Sequence, residues 1–156
     1  MSASIHILKE TRQLLLAAIR NLSDEQCFAI PDGFDNNIAW NVGHIISVQQ
    51  RLIYGRSQRA MDMPADSIMM YLPGTSPADW LTQPDMAELI DMVQRHLAHL
   101  ERDYAIDNFF AGFKEMKTST GVLLRNIEES MVFNNFHEGL HLGTILSLRN
   151  FVATAG

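Results

Sequence analysis

Two histidines, His137 and His141, lie four residues apart in an apolar, helix-like stretch of the chain. Because an α-helix completes a turn about every 3.6 residues, positions i and i+4 lie one above the other on the same face. Two imidazoles in this arrangement can bind one metal ion. Two ligands make a weak site, so the spacing predicts a further ligand from another part of the chain.

His44 is the candidate for that third ligand. It lies near the middle of the most apolar predicted helix, where a solvated face is hard to place. A lone buried histidine is usually a hydrogen-bonded core residue, but here His137 and His141 are expected at a similar depth. Three histidines with open coordination positions are typical of catalytic rather than closed structural sites. Imidazole ligands favour zinc, nickel, copper or iron over magnesium and calcium.

Several polar residues near these histidines are candidates for supporting contacts. Asn41 lies about one turn before His44, and Asn134 and Thr144 lie on the same helical line as the C-terminal pair. Glu138 is about 100° around the helix from its histidine neighbour, so it is expected either to support the site from outside or to face water.

The other histidines and the single cysteine are interpreted as unrelated to this site. His96 and His99 lie among charged residues of a predicted helix, and His6 lies near the N-terminus, so all three are expected at the surface. Cys27 has no basic neighbour that would activate a thiolate, and it is expected to pack as a small apolar residue.

The elements that must position these residues are four predicted helices. Apolar residues recur at three- and four-residue intervals over residues 4–22, 38–54, 84–104 and 127–152. The long connection over residues 55–83 has no clear helical period, but its methionines and aromatic residues predict that it packs on the body of the protein. Four helices of this size predict an all-α fold, a four-helix bundle whose long crossover joins the second and third helices.

Composition narrows the range of functions. The chain has 156 residues, of which 47% are hydrophobic, and this predicts one domain over residues 1–156 with a substantial core. The formal net charge of −6 argues against nucleic acid or an anionic membrane as a partner. One cysteine excludes an intrachain disulfide, residues 1–10 have an amphipathic pattern and not that of a signal peptide, and no apolar stretch is long enough to span a bilayer, so we expect a cytoplasmic protein.

Two motifs resemble those of the DinB/YfiT-like superfamily: residues 37–45, NIAWNVGHI, and residues 136–143, FHEGLHLG. The resemblance extends over residues 22–45 and 118–148 and the spacing of the four helices. It implies a four-helix bundle that binds a divalent metal, commonly zinc or nickel, through one histidine of the second helix and two of the fourth. By position these ligands are His44, His137 and His141. It also implies a homodimer.

The resemblance further implies enzymatic activity, because characterised relatives include S-transferases that use low-molecular-weight bacterial thiols and metal-dependent isomerases or hydrolases. The first hypothesis is therefore a metal-dependent S-transferase or hydrolase that acts on a small electrophilic substrate, with a metal-bound water or thiol as the reactive group. The second is a non-catalytic dimeric metal- or ligand-binding module of a stress response. The third is a structural bundle that binds no metal.

Overall fold

The structure, a computed structural model, describes residues 2–153 and is mostly helical. This confirms the predicted all-α class. The main elements are α1 (Ala3–Ile19), α2 (Asp24–Phe28), α3 (Ile38–Gln49), α4 (Ala65–Met69), α5 (Met86–Tyr104) and α6 (Ile127–Ala153). A small antiparallel hairpin of β1 (Met116–Lys117) and β2 (Leu123–Leu124), which periodicity did not predict, precedes α6. In the described part of the chain, no helix is both long and apolar enough to cross a membrane.

The four long helices correspond to the four predicted ones. α1 packs against α5 and α6, and α3 packs against the same two helices. Apolar side chains between them form two clusters, one around α3 and α6 and one around the N-terminal half of α1 and residues 52–54, which follow α3. The predicted helical stripes therefore face the interior of the protein, and burial of this apolar surface is the main force that holds the helices together.

α3 is the most buried of the long helices, as its apolar sequence predicts. Asn37 caps it by accepting a hydrogen bond from the backbone N–H of Trp40 at 2.7 Å. Every residue of α3 except Val48 is buried. The helix does not continue in α-form to residue 54 as expected, because Gln50–Gly55 forms a π-helical segment. Widened turns of this kind are frequent at functional sites.

The long connection packs on the body of the protein, as predicted. It contains α4 and a short 3₁₀ turn (Pro77–Asp79), and Met63, Ile68 and Tyr71 are buried in the core. Burial of these side chains explains how a segment with little regular structure is held over the helices.

A buried ion pair links α6 to the other long helices. The Arg12 guanidinium donates to both carboxylate oxygens of Glu138, at 3.2 and 2.9 Å. The same guanidinium donates to the backbone carbonyl of Val93 and the side chain of Gln49, both at 2.8 Å, so it joins four helices. Glu138 also accepts from Asn134 at 2.9 Å and is fully buried, so it neither faces water nor contacts the histidines.

The expectation for His96 is wrong. His96 is fully buried, and one ring nitrogen, Nε2, lies 2.7 Å from the backbone carbonyl of Asp62. The long connection covers this face of α5, which periodicity within a helix cannot reveal. His99 is half-buried beside the Asp62 carboxylate, whereas His6 is exposed as predicted. Cys27 is buried as predicted, and burial raises the pKa of its thiol to about 11, which disfavours a nucleophilic role.

Candidate metal centre

The three predicted histidines meet between α3 and α6. Each of His44, His137 and His141 offers a ring nitrogen, and these atoms all lie within 4.8 Å of one another. The Nε2 atoms of His44 and His137 are 3.2 Å apart. The three side chains are therefore close enough to bind one metal ion, and they form the single such group of metal-binding residue types among residues 2–153.

The long connection fixes the ring of His44. Its Nδ1 lies 2.6 Å from the backbone carbonyl of Tyr71, which can only accept, so Nδ1 carries the proton and Nε2 presents its lone pair to the other histidines. The indole of Trp40 stacks on the same imidazole, with centroids 4.7 Å apart and planes 11° from parallel. The Tyr71 ring lies over Gly43, where an added Cβ would be 2.2 Å from the ring, so a larger residue at Gly43 would displace Tyr71.

Asn41 fixes the ring of His141. The Asn41 amide nitrogen donates to the Asn36 side chain and to the Asn37 carbonyl, both at 2.8 Å, which turns its oxygen toward His141. That oxygen lies 2.8 Å from Nδ1 of His141, so Nδ1 must carry the proton and Nε2 is free to bind a metal. A hydrogen bond of this kind, which orients a ligand through its other ring nitrogen, is typical of metal-binding histidines.

His137 leaves a polar group without a partner. Its Nδ1 is buried and forms no hydrogen bond with any residue in the described part of the chain. If its proton is on Nδ1, two lone pairs face each other across the 3.2 Å between His137 and His44; if the proton is on Nε2, Nδ1 is an unpaired buried acceptor. Burying an unpaired polar atom is costly. A cation held by the inward lone pairs would remove their repulsion, so the residues present fit a metal ion.

Burial keeps all three imidazoles neutral at pH 7. It lowers the pKa of His44, an effect that the hydrogen bond to Tyr71 opposes and the charge of Arg51 reinforces. Burial, together with a smaller contribution from the neighbouring histidines, lowers the pKa of His137 to about 4 and that of His141 to about 3. Neutral imidazole is the form that binds metals, so the three side chains need not lose a proton to act as ligands.

Of the three candidates for supporting contacts, only Asn41 touches a histidine. Asn134 lies on the correct face of α6 but donates to Glu138 instead. The Thr144 hydroxyl donates to the Leu140 carbonyl of its own helix at 3.2 Å. The contact from the carbonyl of Tyr71 was not predicted, because a backbone group in an irregular segment has no signal in the sequence.

A family model described as the DinB superfamily matches residues 7–145, which is most of the chain. The chain belongs to the DinB superfamily. This confirms the resemblance drawn from the two motifs, and the three histidines of this DinB-superfamily protein lie on the helices that the resemblance implied. No curated protein matches the chain.

A cavity of about 600 Å³ opens next to the histidines of this DinB-superfamily protein. His44 and His137 form part of its wall, so a bound molecule could reach the site. The wall combines apolar side chains with the hydroxyl-rich turn of the hairpin and two arginines; its residues include Val48, Arg51, Leu52, Arg56, Met61, Leu72, Met116, Thr118, Ser119, Thr120, Phe133, Phe136 and Leu140. Apolar walls with a few polar groups are typical of small-molecule sites.

Proposed function

We propose that this protein is a divalent-metal-dependent enzyme of the DinB superfamily, with His44, His137 and His141 as ligands of zinc or nickel. The observation that carries the proposal is the convergence of three neutral imidazoles beside an open cavity. Two of the rings are held by hydrogen bonds that direct Nε2 toward the shared centre. Three protein ligands leave positions free for a substrate atom, as in catalytic rather than structural sites.

We further propose that the reaction is transfer of a low-molecular-weight bacterial thiol to a small electrophile, with hydrolysis of a small substrate as the related alternative. An ion bound here would act as a Lewis acid that lowers the pKa of a water or thiol. The protein residues would hold the ligand rings in place and exclude bulk water through the apolar wall. The lone cysteine supplies no nucleophile, because Cys27 is buried away from the cavity and its pKa is raised.

The four long helices fit the family's bundle architecture. α1 and α3 each contact both α5 and α6, so the contacts close a ring of four helices. We infer a four-helix bundle in which the long connection is the crossover between α3 and α5, and in which residues 1–156 act as one domain. This architecture would place ligands from two facing helices at one depth, which is how metal sites in helical bundles are built.

The proposal is tested by metal analysis of protein purified without a histidine tag. We expect about one zinc or nickel ion per chain, lost in His137→Ala and in His44→Ala. The exposed histidine His6 provides the matched control, since His6→Ala should keep the metal. Protein that holds no metal and cannot be reloaded would overturn the proposal.

Thiol transfer is tested separately, with metal-loaded protein, a low-molecular-weight thiol and 1-chloro-2,4-dinitrobenzene as the electrophile. The expected result is formation of the thioether and release of chloride, abolished by chelation and by His137→Ala. Metal-loaded protein that neither forms this product nor hydrolyses small esters would leave the metal site in place and refute the enzymatic assignment.

We propose that the protein forms a homodimer through the exposed face of α6. Val132, Phe136 and Leu140 are each more than half exposed on this face. An added Cβ at Gly139 or Gly143 meets no atom within 4 Å, so the helix surface there is open to close approach by a second helix. Mid-helix glycines cost about 1 kcal/mol each relative to alanine, which close packing in a dimer would offset.

Light scattering combined with size-exclusion chromatography tests the dimer. We expect twice the chain mass for the wild type and the chain mass for Val132→Glu. Leu81→Glu is the matched control, because Leu81 is exposed on the long connection, away from α6. A wild-type protein that is monomeric at micromolar concentration would contradict the proposal.

A further inference from the structure

The cavity beside the histidines carries positive charge and no negative charge. Arg51 and Arg56 line it, and none of the described residues in its wall is acidic. The chain as a whole has a formal net charge of −6, so this local excess of cations runs against the overall charge. An unbalanced positive wall attracts anions, and does so most strongly where apolar surroundings reduce screening.

The two arginines differ in how much of their hydrogen-bonding capacity is used. The Arg56 guanidinium donates to the carbonyl of Lys114 at 2.9 Å and to that of Glu115 at 2.5 Å, so it holds the segment that leads to the hairpin. The Arg51 guanidinium forms no hydrogen bond or ion pair with any residue within 2–153. It is exposed at the cavity and available to a ligand.

Arg51 lies in the π-helical segment that follows α3, and it lines the same cavity as the metal-binding candidate His44. The cavity residues His44, Val48, Arg51 and Gly55 follow one another at steps of four, three and four. Steps of three and four keep side chains on one face of an α-helix, and the cavity lining shows that this face continues into the π-helical segment. Seven residues correspond to a rise of roughly 10 Å, about the length of a small two-ring molecule.

We infer that Arg51 binds a negatively charged group of the substrate, and that the substrate is a small organic anion with an apolar body. The inference rests on the proposed function, since it places the substrate in the cavity next to the histidines. The planar guanidinium matches carboxylate and related anions through paired hydrogen bonds. The apolar wall holds the body, and the reacting atom lies at the histidine end, opposite the charged group.

The test uses two probes of similar shape and different charge, 1-naphthoate and the neutral 1-naphthalenemethanol. Their affinities are measured by calorimetry with the full-length protein, both as purified and after chelation. Amide shifts of Thr118, Ser119 and Thr120 in ¹⁵N-labelled protein report binding in the cavity, because these residues line it. The variants are Arg51→Gln and, as a control with the same charge change, Arg20→Gln at the exposed end of α1.

We expect 1-naphthoate to bind in the cavity and Arg51→Gln to weaken it by roughly tenfold or more, as for loss of a hydrogen bond to a charged group. The alcohol should bind equally to both proteins, and Arg20→Gln should change neither affinity. Added salt should weaken binding of naphthoate to the wild type more than to Arg51→Gln.

The inference is overturned if Arg51→Gln binds naphthoate as the wild type does, if Arg20→Gln weakens it equally, or if the hairpin amides do not shift. Metal content of the same samples separates the two proposals. Protein that is purified without metal, cannot be reloaded with zinc or nickel, and still binds naphthoate through Arg51 would refute the metal enzyme and keep the anion site. Metal-bound protein that binds 1-naphthoate and 1-naphthalenemethanol with equal affinity would refute the anion site and leave the proposed metal site in place.

Discussion

The hydrogen bond from His141 to Asn41 gives the sharpest test of how the site is built. Asn41→Leu keeps the approximate volume of the side chain and removes the oxygen that lies 2.8 Å from Nδ1 of His141. Loss of such a partner typically lowers metal affinity by about 10- to 100-fold. This corresponds to about 1.4 to 2.7 kcal/mol of binding free energy. We expect the zinc dissociation constant to rise by this factor.

Folding and binding have to be measured separately, because Asn41 also donates to Asn36 and Asn37. Urea unfolding of the metal-free protein gives the loss of folding stability, expected at about 1 to 3 kcal/mol for an unsatisfied buried group. Competition with a chromophoric chelator at pH 7.5 then gives the zinc affinity of the folded protein. Thr144→Val is the matched control, because Thr144 lies on the same helix as His141 but bonds only its own backbone.

Asn41→Asp distinguishes the hydrogen bond from packing. A carboxylate keeps the acceptor and increases the basicity of the ligand ring, so zinc affinity should equal or exceed that of the wild type. If folded Asn41→Leu bound zinc within about twofold of the wild type, the role assigned to Asn41 would be wrong. Equal losses in the Leu and Asp variants would show that shape, and not the acceptor, matters.

Three further predictions concern stability. Arg12→Met should lower the free energy of unfolding by about 3 to 5 kcal/mol, because it leaves the buried carboxylate of Glu138 unpaired. Replacing Glu138 by an apolar residue in the same protein should recover most of this loss, as measured by urea titration. Gly43→Ala should lower the free energy of unfolding by about 1 to 3 kcal/mol, because the added Cβ displaces the Tyr71 ring, and it should weaken zinc binding. An unchanged urea midpoint together with an unchanged zinc affinity would contradict the predicted clash. Because folding lowers the pKa of His137 to about 4 and of His141 to about 3, the unfolded chain binds protons first as the pH falls. Metal-free protein should therefore lose stability below about pH 6.5, by about 2 kcal/mol per histidine at pH 5. The free energy of unfolding of His137→Gln should depend less on pH than that of the wild type. A wild-type free energy of unfolding that does not change between about pH 7 and pH 5 would contradict the prediction.

The helices and their approximate bounds followed from the sequence, since apolar periodicity and end signals are local. α3 begins at Ile38 and α6 begins at Ile127, the residues at which these helices were predicted to begin. The π-helical segment after α3 was missed, because apolar residues at this spacing are compatible with either helical form. The hairpin was missed as well, since two residues per strand are too few for an alternating pattern.

The residues that could bind a metal were identifiable from histidine spacing alone. Two imidazoles at i and i+4 share a helical face, and a third lies in an apolar helix where a solvated histidine is hard to place. The groups that surround these histidines depend on how the helices and the long connection pack. The proton positions in His44 and His141 depend on Tyr71 and Asn41, and the burial of His96 and Glu138 depends on segments distant in sequence. Such contacts arise when helices pack, because packing brings together residues whose separation along the chain carries no periodic signal.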